Sequence, residues 1–373
     1  MRIGWVYPHR ERCGIAQYAR DYADVLRPHT ELADIDPQWW TDRRAVVRDT
    51  IVGCDIVHVQ YDTAAFMRGR RDFFAEMMRS VKVPVVVSLH EVYDEDPAVF
   101  PRSRISGRFP ARQFKRIVWD LRHPVQYAFT RHCAQSFFAR AVLVHQRYHT
   151  DIVVRKNCAR HIVRVEPFPV KCRRAMQESS FPDLPAIRLG AFGFVNPLFD
   201  YELLFAALKQ LRRPWTFTWL GGVGNVSQQP LHDALTRRLA AENWSDRFHV
   251  TGWVPEEELP LRFADIDIVC ALFTGRSSSA SIAEVLGAGK PVVAASIPLT
   301  REIASVNKAA GAPAPLLLTE RDGAGVAAAI ERLCADGGLR ADLYRGACAY
   351  RDATSFEVMA GRLLAMYREL LAA

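Results

Sequence analysis

The stretch SIAEVLGAGKPVVAAS, residues 281–296, combines a helix that carries one acid, a glycine turn and a buried strand. Gly287 and Gly289 supply the left-handed or tight backbone that ends a helix. Pro291 then opens a short apolar, β-branched run of the kind found in parallel strands that are buried on both faces. The stretch therefore predicts one helix–strand step of a parallel sheet.

A small, hydroxyl-rich loop, GRSSS at residues 275–279, precedes this helix. A helix N-terminus offers free backbone N–H groups and the positive end of the helix dipole, which suits a phosphate. Glu284, further along the helix, is placed to accept hydrogen bonds from vicinal hydroxyls such as those of a ribose. Loop, acid, turn and strand together predict a nucleotide-diphosphate site. Taken alone, the segment fits an ordinary helix–strand connection with a capping serine and a solvated glutamate equally well.

Length and composition predict a soluble protein with two domains. A chain of 373 residues exceeds the usual size of a single core. Its 49% hydrophobic and 24% charged content is typical of soluble globular proteins, and no apolar run is long enough to span a bilayer. The first residues are too polar for a signal peptide, and the eight cysteines form no CxxC pair. We therefore expect a cytoplasmic protein with reduced thiols and no metal site.

Positive charge is concentrated in one part of the chain. The formal net charge of +8 favours an anionic partner such as a phosphate, a nucleic acid or an acidic lipid. Residues 102–140 hold nine basic residues and one acid, interleaved with aromatic residues. This mixture suits an anionic membrane surface or a nucleic acid, and a helix with a basic outer face is the plain alternative. The candidate acceptor-facing or membrane-facing residues are Arg112, Lys115, Arg116 and Trp119.

Short apolar runs alternate with helical stretches in the first half of the chain, as in parallel α/β domains. The predicted strands are Ile3–Tyr7, Asp55–Gln60, Val83–Leu89, Ala141–His145 and Ile162–Glu166. The predicted helices are Ile15–Leu26, Asp72–Val81, Arg112–Arg140 with a break at Pro124, and Arg147–Lys156. A polar, proline-bearing stretch, residues 171–186, then predicts an interdomain linker.

The alternation restarts after the linker and predicts a second domain of the same kind. Its predicted strands are Ile187–Phe192, Trp215–Leu220, Phe248–Trp253, Ile266–Leu272, Pro291–Ser296 and Pro315–Thr319. Two further helices are predicted at Gly323–Asp336 and Ser355–Leu371. We therefore predict two Rossmann-like domains, residues 1–170 and 187–353, that face each other across a cleft. Ligands of such sheets bind beyond the carboxyl ends of the strands.

Six motifs occur in the order and at the spacing of one known family. They are RCGIAQYAR at residues 12–20, DIVHVQY at 55–61, VPVVVSLHE at 83–91, EPFPV at 166–170, ADIDIV at 264–269 and AEVLGAGKPVV at 283–293. By these motifs the chain resembles a GT-B glycosyltransferase, in particular one of glycosyltransferase family 4, across nearly its whole length. The final helix, residues 354–373, is similar to the helix that crosses back onto the N-terminal domain in that family.

The resemblance implies that the C-terminal domain holds a nucleotide-sugar donor and that the N-terminal domain holds the acceptor. It also implies transfer with retention of anomeric configuration, without a metal and with no cofactor besides the nucleotide-sugar co-substrate. On this basis Glu284 binds the donor ribose, and Gly14 lets the backbone approach the donor because it lacks a Cβ. His90 lies near the reacting sugar and donates to a hydroxyl or to developing charge. The alternatives are a core histidine for His90 and a plain helix N-cap for Gly14.

The chain departs from the family at the expected diphosphate contacts. The family has an acid eight positions before residue 284, where this chain has Arg276. It also has an Arg and a Lys after the first strand of the second domain, where this chain has GFVNPLFDY at residues 193–201, with Phe199 at the Lys position. Losing cations that stabilise a leaving diphosphate weakens catalysis unless they are replaced. Arg276 is one candidate replacement, since a guanidinium grips phosphate bidentately. The same departure is also compatible with a degenerate transferase or with an unusual donor.

Further donor-binding candidates lie in loops at the ends of predicted elements. Gly193 and Asn196 follow the first strand of the second domain, and Ser277 and Ser278 precede the helix of Glu284. Gly222, in the glycine cluster at residues 221–224, lets a base or backbone approach closely. A tight turn accounts for that cluster equally well.

These features predict a retaining glycosyltransferase that moves a sugar from a nucleotide-sugar donor to a glycan or lipid-linked acceptor in cell-envelope or extracellular polysaccharide synthesis. We expect it to be cytoplasmic and peripheral at the inner face of the membrane. The alternative is a catalytically degenerate pseudo-glycosyltransferase that acts as a binding partner. A nucleotide-sugar epimerase on the same plan needs water-activating carboxylates, and the nearby acid run is residues 94–96. The sequence has no helix-turn-helix, RRM or zinc pattern, so we expect no nucleic acid partner.

Overall fold

The computed structural model describes residues 1–11, 13–68, 71–94, 105–123, 138–156, 158–173, 181–224 and 226–373. The chain divides into two compact units, the first comprising Met1–Pro167 and Phe356–Ala373 and the second comprising Phe168–Ser355. Several positions covered by the predictions above lie outside the described residues: Arg12, Glu95, Asp96, Arg102, Arg104, Arg131, the part of the predicted helix from Pro124 to residue 137, and residues 174–180 of the predicted linker.

The main sheet of the first unit has six parallel strands. These strands are β1 (Arg2–Val6), β2 (Glu31–Ile35), β3 (Ile56–Tyr61), β6 (Val85–Leu89), β7 (Ala141–Val144) and β8 (Val163–Val165). Their order across the sheet is β2-β1-β3-β6-β7-β8. A separate antiparallel pair is formed by β4 (Met67–Arg68) and β5 (Arg71–Asp72). Every residue of β3 is buried, as expected of a central parallel strand that is covered on both faces.

The last helix of the chain belongs to the core of the first unit. The described helices of this unit are α1 (Gly14–Leu26), α2 (Trp39–Asp42), α3 (Arg44–Val52), α4 (Phe74–Ser80), α5 (Ala111–Arg122), α6 (Arg147–Arg155) and α14 (Phe356–Ala372). Helix α14 packs against α1, with the Phe356 ring centroid 5.1 Å from that of Tyr22. Tyr367 of α14 is fully buried. The predicted return of the C-terminal helix to the first domain is confirmed.

The second unit repeats the plan with a second sheet of six parallel strands. Its strands are β9 (Ile187–Phe192), β10 (Trp215–Leu220), β11 (Phe248–Val250), β12 (Ile268–Ala271), β13 (Val292–Ala295) and β14 (Leu317–Thr319), and their order is β11-β10-β9-β12-β13-β14. Its helices are α7 (Tyr201–Leu208), α8 (Gln229–Ala241), α9 (Leu259–Ala264), α10 (Ala280–Gly287), α11 (Pro298–Ser305), α12 (Gly323–Ala335) and α13 (Gly337–Thr354). The predicted fold class, two parallel α/β sheets, is confirmed.

The differences from the predicted elements have local causes. The strand predicted over Phe248–Trp253 ends at Val250, because Gly252 turns the chain with a φ of +75°. Strand β2 was not predicted, because two acids interrupt its sequence ELADI and it pairs only with β1 at the edge of the sheet. Among the described helices, none combines the length and the apolar character that a membrane span needs.

Candidate functional site

In the second unit, the loop after β9 lies against the start of α10. Gly193 follows β9 with a φ of +113°, a conformation that favours glycine. A Cβ atom on Gly193 would lie 3.2 Å from Oγ of Ser281, in the first turn of α10. The structure thus brings the predicted donor-binding residue Gly193 to the helix that carries Glu284.

Glycines let neighbouring strand ends meet backbone to backbone beside this loop. A Cβ on Gly221, whose φ is +137°, would lie 2.1 Å from the Gly193 carbonyl oxygen. A Cβ on Gly222 would lie 2.9 Å from Cα of Gly252. Trp219 Nε1 donates a hydrogen bond of 2.8 Å to the Gly193 carbonyl oxygen. Packing alone therefore accounts for the glycine at position 222, and its contact with a base stays a prediction.

The residues after Gly193 use their side chains within the unit. Asn196 Oδ1 accepts a hydrogen bond from the Leu198 N–H at 3.0 Å, and its Nδ2 donates to the Phe194 carbonyl oxygen at 2.9 Å. Phe199 is buried, with its ring centroid 5.7 Å from that of Phe273. The position at which the family has a lysine therefore belongs to the hydrophobic core of the second unit.

The start of α10 carries a cap and one nearby cation. Ser279 Oγ accepts a hydrogen bond of 3.2 Å from the backbone N–H three residues further along. Ser277 is buried, and Arg276 Nε donates to the Ser278 carbonyl oxygen at 3.2 Å. The Arg276 guanidinium carbon lies 5.0 Å from the ring centroid of Phe273. The loop therefore holds a guanidinium beside the backbone N–H groups at the helix start.

Glu284 belongs to an ion cluster that no sequence motif indicated. Arg173, whose side chain is 8% exposed, donates from Nε to Glu284 Oε2 at 2.6 Å and from a terminal nitrogen to Glu256 Oε1 at 3.1 Å. Lys171 also pairs with Glu256. Burial lowers the pKa of Arg173, but the hydrogen bonds and charges of Glu284 and Glu256 outweigh it, so the pKa lies above its ordinary value. Arg173 therefore stays charged and fixes one oxygen of the Glu284 carboxylate.

Gly14 is the first residue of α1 in the first unit. A Cβ atom added to it would meet no other atom within 4 Å among the described residues. Its backbone is therefore open within its own unit, in contrast to Gly221 of the second unit. The approach of a donor to Gly14 stays a prediction.

His90 follows β6 and lies in a buried row of histidines. Its Nε2 lies 3.0 Å from the side-chain amide of Gln60, and its Nδ1 lies 3.0 Å from Nε2 of His145. Gln60 leads on to His58, which contacts Ser88 and the hydroxyl of Tyr367 on α14. Burial lowers the pKa of His90 well below its ordinary value, and the neighbouring His145 and His58 lower it further. His90 is therefore a neutral imidazole at neutral pH.

The acceptor at the Glu166 end of this row of histidines decides which atoms donate and which accept. The Glu166 carbonyl oxygen can only accept, so His145 Nδ1 donates to it at 3.0 Å, and His145 Nε2 accepts from His90 Nδ1. With the Gln60 amide oxygen toward His90, both nitrogens of His90 must carry protons. With the amide nitrogen toward it, the ring is neutral. Because burial keeps His90 neutral, its Nε2 accepts, so the Gln60 amide nitrogen faces His90 and the amide oxygen accepts from His58 Nε2.

The side chain of Glu166 is buried near the same row. Burial raises its pKa to about 7, against the opposing charge of Arg362. Its Oε1 has no hydrogen-bond partner among the described residues. This carboxyl group therefore exchanges its proton near neutral pH, whereas burial lowers the pKa of His58 to about 3 and that of His145 to about 4.

The candidate acceptor-facing or membrane-facing residues all lie on α5 of the first unit. Arg112 and Lys115 are exposed, whereas Arg116 and Trp119 are partly buried. The Trp119 ring stacks on His123 with the centroids 3.7 Å apart. Gly14 and His90 belong to the same unit, and all the candidate donor-binding residues belong to the other. In the described part of the chain, no group of three or more His, Cys, Asp or Glu residues is arranged to hold a metal ion.

The second unit matches a known family in sequence, and the whole chain matches known structures. Residues 187–336 match the family model described as glycosyl transferases group 1, whereas no curated protein matches the chain in sequence. The chain is similar to Alr3699/HepE of Anabaena, solved in complex with UDP and glucose, at 15% identity and a TM-score of 0.71 over 99% of this chain and 100% of that one. It is also similar to sucrose-phosphate synthase of Thermosynechococcus elongatus, at 13% identity and a TM-score of 0.70 over 100% of this chain and 99% of that one. Similarity to a trehalose-6-phosphate synthase reaches a TM-score of 0.66 at 9% identity, over 99% of each chain.

These similarities define the class of protein: the fold is GT-B, the fold of many glycosyltransferases. Within that class, residues 187–336 of the second unit match the group 1 glycosyltransferase family model. The predicted resemblance and the predicted enzyme class, a glycosyltransferase, are confirmed. At such low identity the solved structures support the fold, and the family model supports the enzyme class.

Proposed function

We propose that this glycosyltransferase is of family 4 type and transfers a sugar, with retention of anomeric configuration, from a nucleoside-diphosphate sugar to a glycan or lipid-linked acceptor. The proposal rests on one observation: the loop at Gly193 lies against the start of α10. Ser279 caps this helix, and Glu284 lies within it. In this proposal the diphosphate lies over the backbone N–H groups at this helix start, beside the Gly193 loop.

The spacing along α10 suits one nucleotide. Ser279 at the cap and Glu284 are five residues apart, which is about 7.5 Å at about 1.5 Å per helical residue. A diphosphate at the helix start therefore puts the attached ribose within reach of the Glu284 carboxylate. Arg173 holds Oε2 of that carboxylate before any donor arrives, which reduces the entropy lost when the ribose binds.

Arg276 supplies the positive charge that the family takes from side chains missing here. No cation can act from position 199, because Phe199 is part of the core. Arg276 already lies beside the start of α10, and a second cation, Arg321, donates to the Thr274 carbonyl oxygen at 3.4 Å. In this proposal the Arg276 guanidinium turns to the leaving diphosphate and stabilises the charge that develops there.

His90 and Gly14 act from the first unit. His90 hydrogen-bonds a hydroxyl of the reacting sugar as a neutral imidazole, and its bond to His145 sets the orientation of the ring. A hydroxyl that binds at His90 Nε2 replaces the contact with Gln60. Gly14 offers open backbone to the donor.

The donor is proposed from similar structures, and the acceptor and the location from the family resemblance and the basic segment at residues 102–140. Structures of Alr3699/HepE hold UDP and UDP-glucose, which supports a uridine-diphosphate sugar as donor. The similar trehalose-6-phosphate synthase was solved in a study of glycosyltransfer with retention. We extend the proposal to transfer without a metal, to polysaccharide assembly in the cell envelope, and to a cytoplasmic protein at the inner face of the membrane.

A panel of nucleotide sugars tests this function. One donor should raise the thermal stability of the full chain, because ligand binding stabilises the folded state by mass action, and NMR should show a product of retained configuration. Glu284→Gln should weaken donor binding roughly tenfold or more, since it removes a charged acceptor. Glu258→Gln, an exposed carboxylate of the same unit, is the control and should bind normally. An inverted product, or unchanged binding by Glu284→Gln, contradicts the proposal.

A catalytically degenerate protein that binds a donor and supports a partner enzyme is the second candidate. The buried Phe199 at the family's lysine position favours it. It predicts donor binding without hydrolysis or transfer at saturating donor. If the parent slowly releases nucleotide from the donor and Arg276→Ala does not, this second candidate is excluded.

A further inference from the structure

Helix α5 turns an apolar stripe toward the outside of the first unit. Phe114 is 68% exposed, Ile117 57% and Leu121 69%, and no residue of the helix is buried. Their spacing of three, four and seven residues puts the three side chains on one face at 3.6 residues per turn. Amphipathic helices of globular units usually bury such a stripe, so α5 has the reverse orientation.

The opposite face of α5 is the less exposed one. Arg116, Trp119 and Asp120 lie about half a turn away from the stripe, and all three are partly buried. Trp119 stacks on His123, which follows the helix. Apart from the partly buried Val118 at its edge, the apolar stripe is therefore the more exposed face of the helix.

Exposed cations border the stripe. Lys115 and Arg122 lie on the helix beside Phe114, at the edge of the apolar face, and Arg108 and Arg112 are also exposed. Over residues 105–123 the sequence has five basic residues and one acid. Phe109, just before the helix, adds a further exposed aromatic side chain.

We infer that α5 lies in the plane of an anionic lipid bilayer, with Phe114, Ile117 and Leu121 among the acyl chains and the cations at the headgroup phosphates. Apolar insertion and attraction to anionic headgroups add up for a helix of this composition. Charge argues against a second copy as the occupant, because two α5 helices would bring two positive surfaces together. A nucleic acid would neutralise the cations but leave the apolar stripe in water.

This inference deepens the proposed function, on whose membrane location it rests, but a bilayer can bind α5 whether or not sugar transfer takes place. It also refines the predicted membrane-facing set. Lys115 stays in that set and Arg122 joins it at the edge of the stripe, whereas Arg112, Arg116 and Trp119 lie on the opposite face of the helix. A lipid-linked acceptor would then meet the enzyme at the surface to which α5 holds it.

Vesicle sedimentation of the full chain tests the inference. We expect binding to vesicles of phosphatidylcholine with phosphatidylglycerol, little binding to phosphatidylcholine alone, and a fraction of the binding that persists at high salt. The triple variant Phe114→Ser/Ile117→Ser/Leu121→Ser should bind the anionic vesicles roughly tenfold more weakly or worse. The matched control Val52→Ser/Val226→Ser/Leu261→Ser, which removes exposed apolar side chains elsewhere, should bind as the parent does.

Two further measurements separate the outcomes. The triple variant should keep the thermal stability of the parent, since all three side chains are exposed, and Lys115→Glu/Arg122→Glu should lose vesicle binding. Loss by the charge variant with no loss by the triple variant overturns the insertion and leaves surface attraction only. A triple variant that changes the oligomeric state in solution, without changing vesicle binding, overturns the inference in favour of contact between copies. Normal vesicle binding by a chain that binds no donor contradicts the proposed function alone.

Discussion

The two units treat their buried ionisable groups in opposite ways. In the second unit, Arg173 is paired with the carboxylates of Glu284 and Glu256, so the charges persist. In the first unit, burial holds His90 and its neighbouring histidines neutral and keeps Glu166 protonated up to about pH 7. A unit built from ion pairs suits a charged diphosphate, whereas a neutral, hydrogen-bonded one suits the hydroxyls of a sugar. The two units therefore share a sheet topology but differ in how they accommodate buried ionisable groups.

The largest effect should come from Gly221→Ala, which tests whether the loops of the second unit are rigid. The added Cβ would lie 2.1 Å from the Gly193 carbonyl oxygen at a φ that strains any side chain. We expect a loss of about 4 kcal/mol in the free energy of unfolding from backbone strain and overpacking together. Urea unfolding measures it. Gly275→Ala, where a Cβ meets no atom within 4 Å, is the control. Equal stability of the two variants would show that the loops move enough to accommodate the added Cβ.

Removal of the central cation of the second unit should have the next largest effect. Arg173→Ala leaves Glu284 and Glu256 without their buried partner, so we expect about 3 kcal/mol of lost stability and a weaker affinity for the donor. Arg173→Lys keeps the charge but loses the bidentate geometry of the guanidinium. It should retain part of the stability and part of the donor affinity. Urea unfolding and calorimetric donor titration measure the two effects. Intact donor affinity in a destabilised Arg173→Ala would mean that the cluster serves the fold and not the site.

The pH dependence of stability sharpens the contrast from the side of the first unit. The pKa of Glu166 is raised from 4.5 to about 7, so its stabilising effect is full below pH 4.5 and is lost as the pH rises through about 7. At about 1.4 kcal/mol per pKa unit, the rise from 4.5 to about 7 has an effect of the order of 3 kcal/mol. Glu166→Gln should remove this decline, measured as the free energy of unfolding from pH 5 to 8. Parallel pH profiles for the parent and the variant would show that Glu166 is not buried as an acid.

The histidines act in the opposite direction and need separating from Glu166. The pKa values of His58 and His145 are lowered by burial, from 6.5 to about 3 and about 4. Their stabilising effect is therefore present above pH 6.5 and is lost as the pH falls toward 4. In the Glu166→Gln variant, the loss of stability at acid pH that the histidines cause should be observed without the opposing effect of Glu166.

The smallest effect should come from Arg276→Ala, which tests the charge of the proposed donor site. We expect donor affinity to fall roughly tenfold, about 1.4 kcal/mol, while stability hardly changes. Arg276→Lys should restore part of the affinity because the charge remains. Arg262→Ala, an exposed arginine of the same unit, is the control. Unchanged donor affinity in Arg276→Ala would remove the replacement hypothesis.

Sequence patterns indicated most of the fold because parallel strands are mainly buried and therefore mainly apolar. Strands β9 and β10 have the predicted bounds, although Arg188 and Thr216 within them are exposed. The edge strand β2 was not indicated by the sequence, because Glu31 and Asp34 interrupt its apolar run. For the candidate site, Gly193, Glu284 and Arg276 were indicated by motifs or by departures from them. Arg173 was not, since its stretch was assigned to the linker between domains.

The sequence by itself determined the order of strands and helices, the glycine turns, and the family to which the donor half is similar, because these depend on neighbours along the chain. Only the tertiary structure decided which charges meet. Arg173 and Glu284 are 111 residues apart in sequence, and His58 and Tyr367 are 309 apart, yet both pairs are in contact. Pairing, burial and pKa depend on distances in space, and no local pattern contains them.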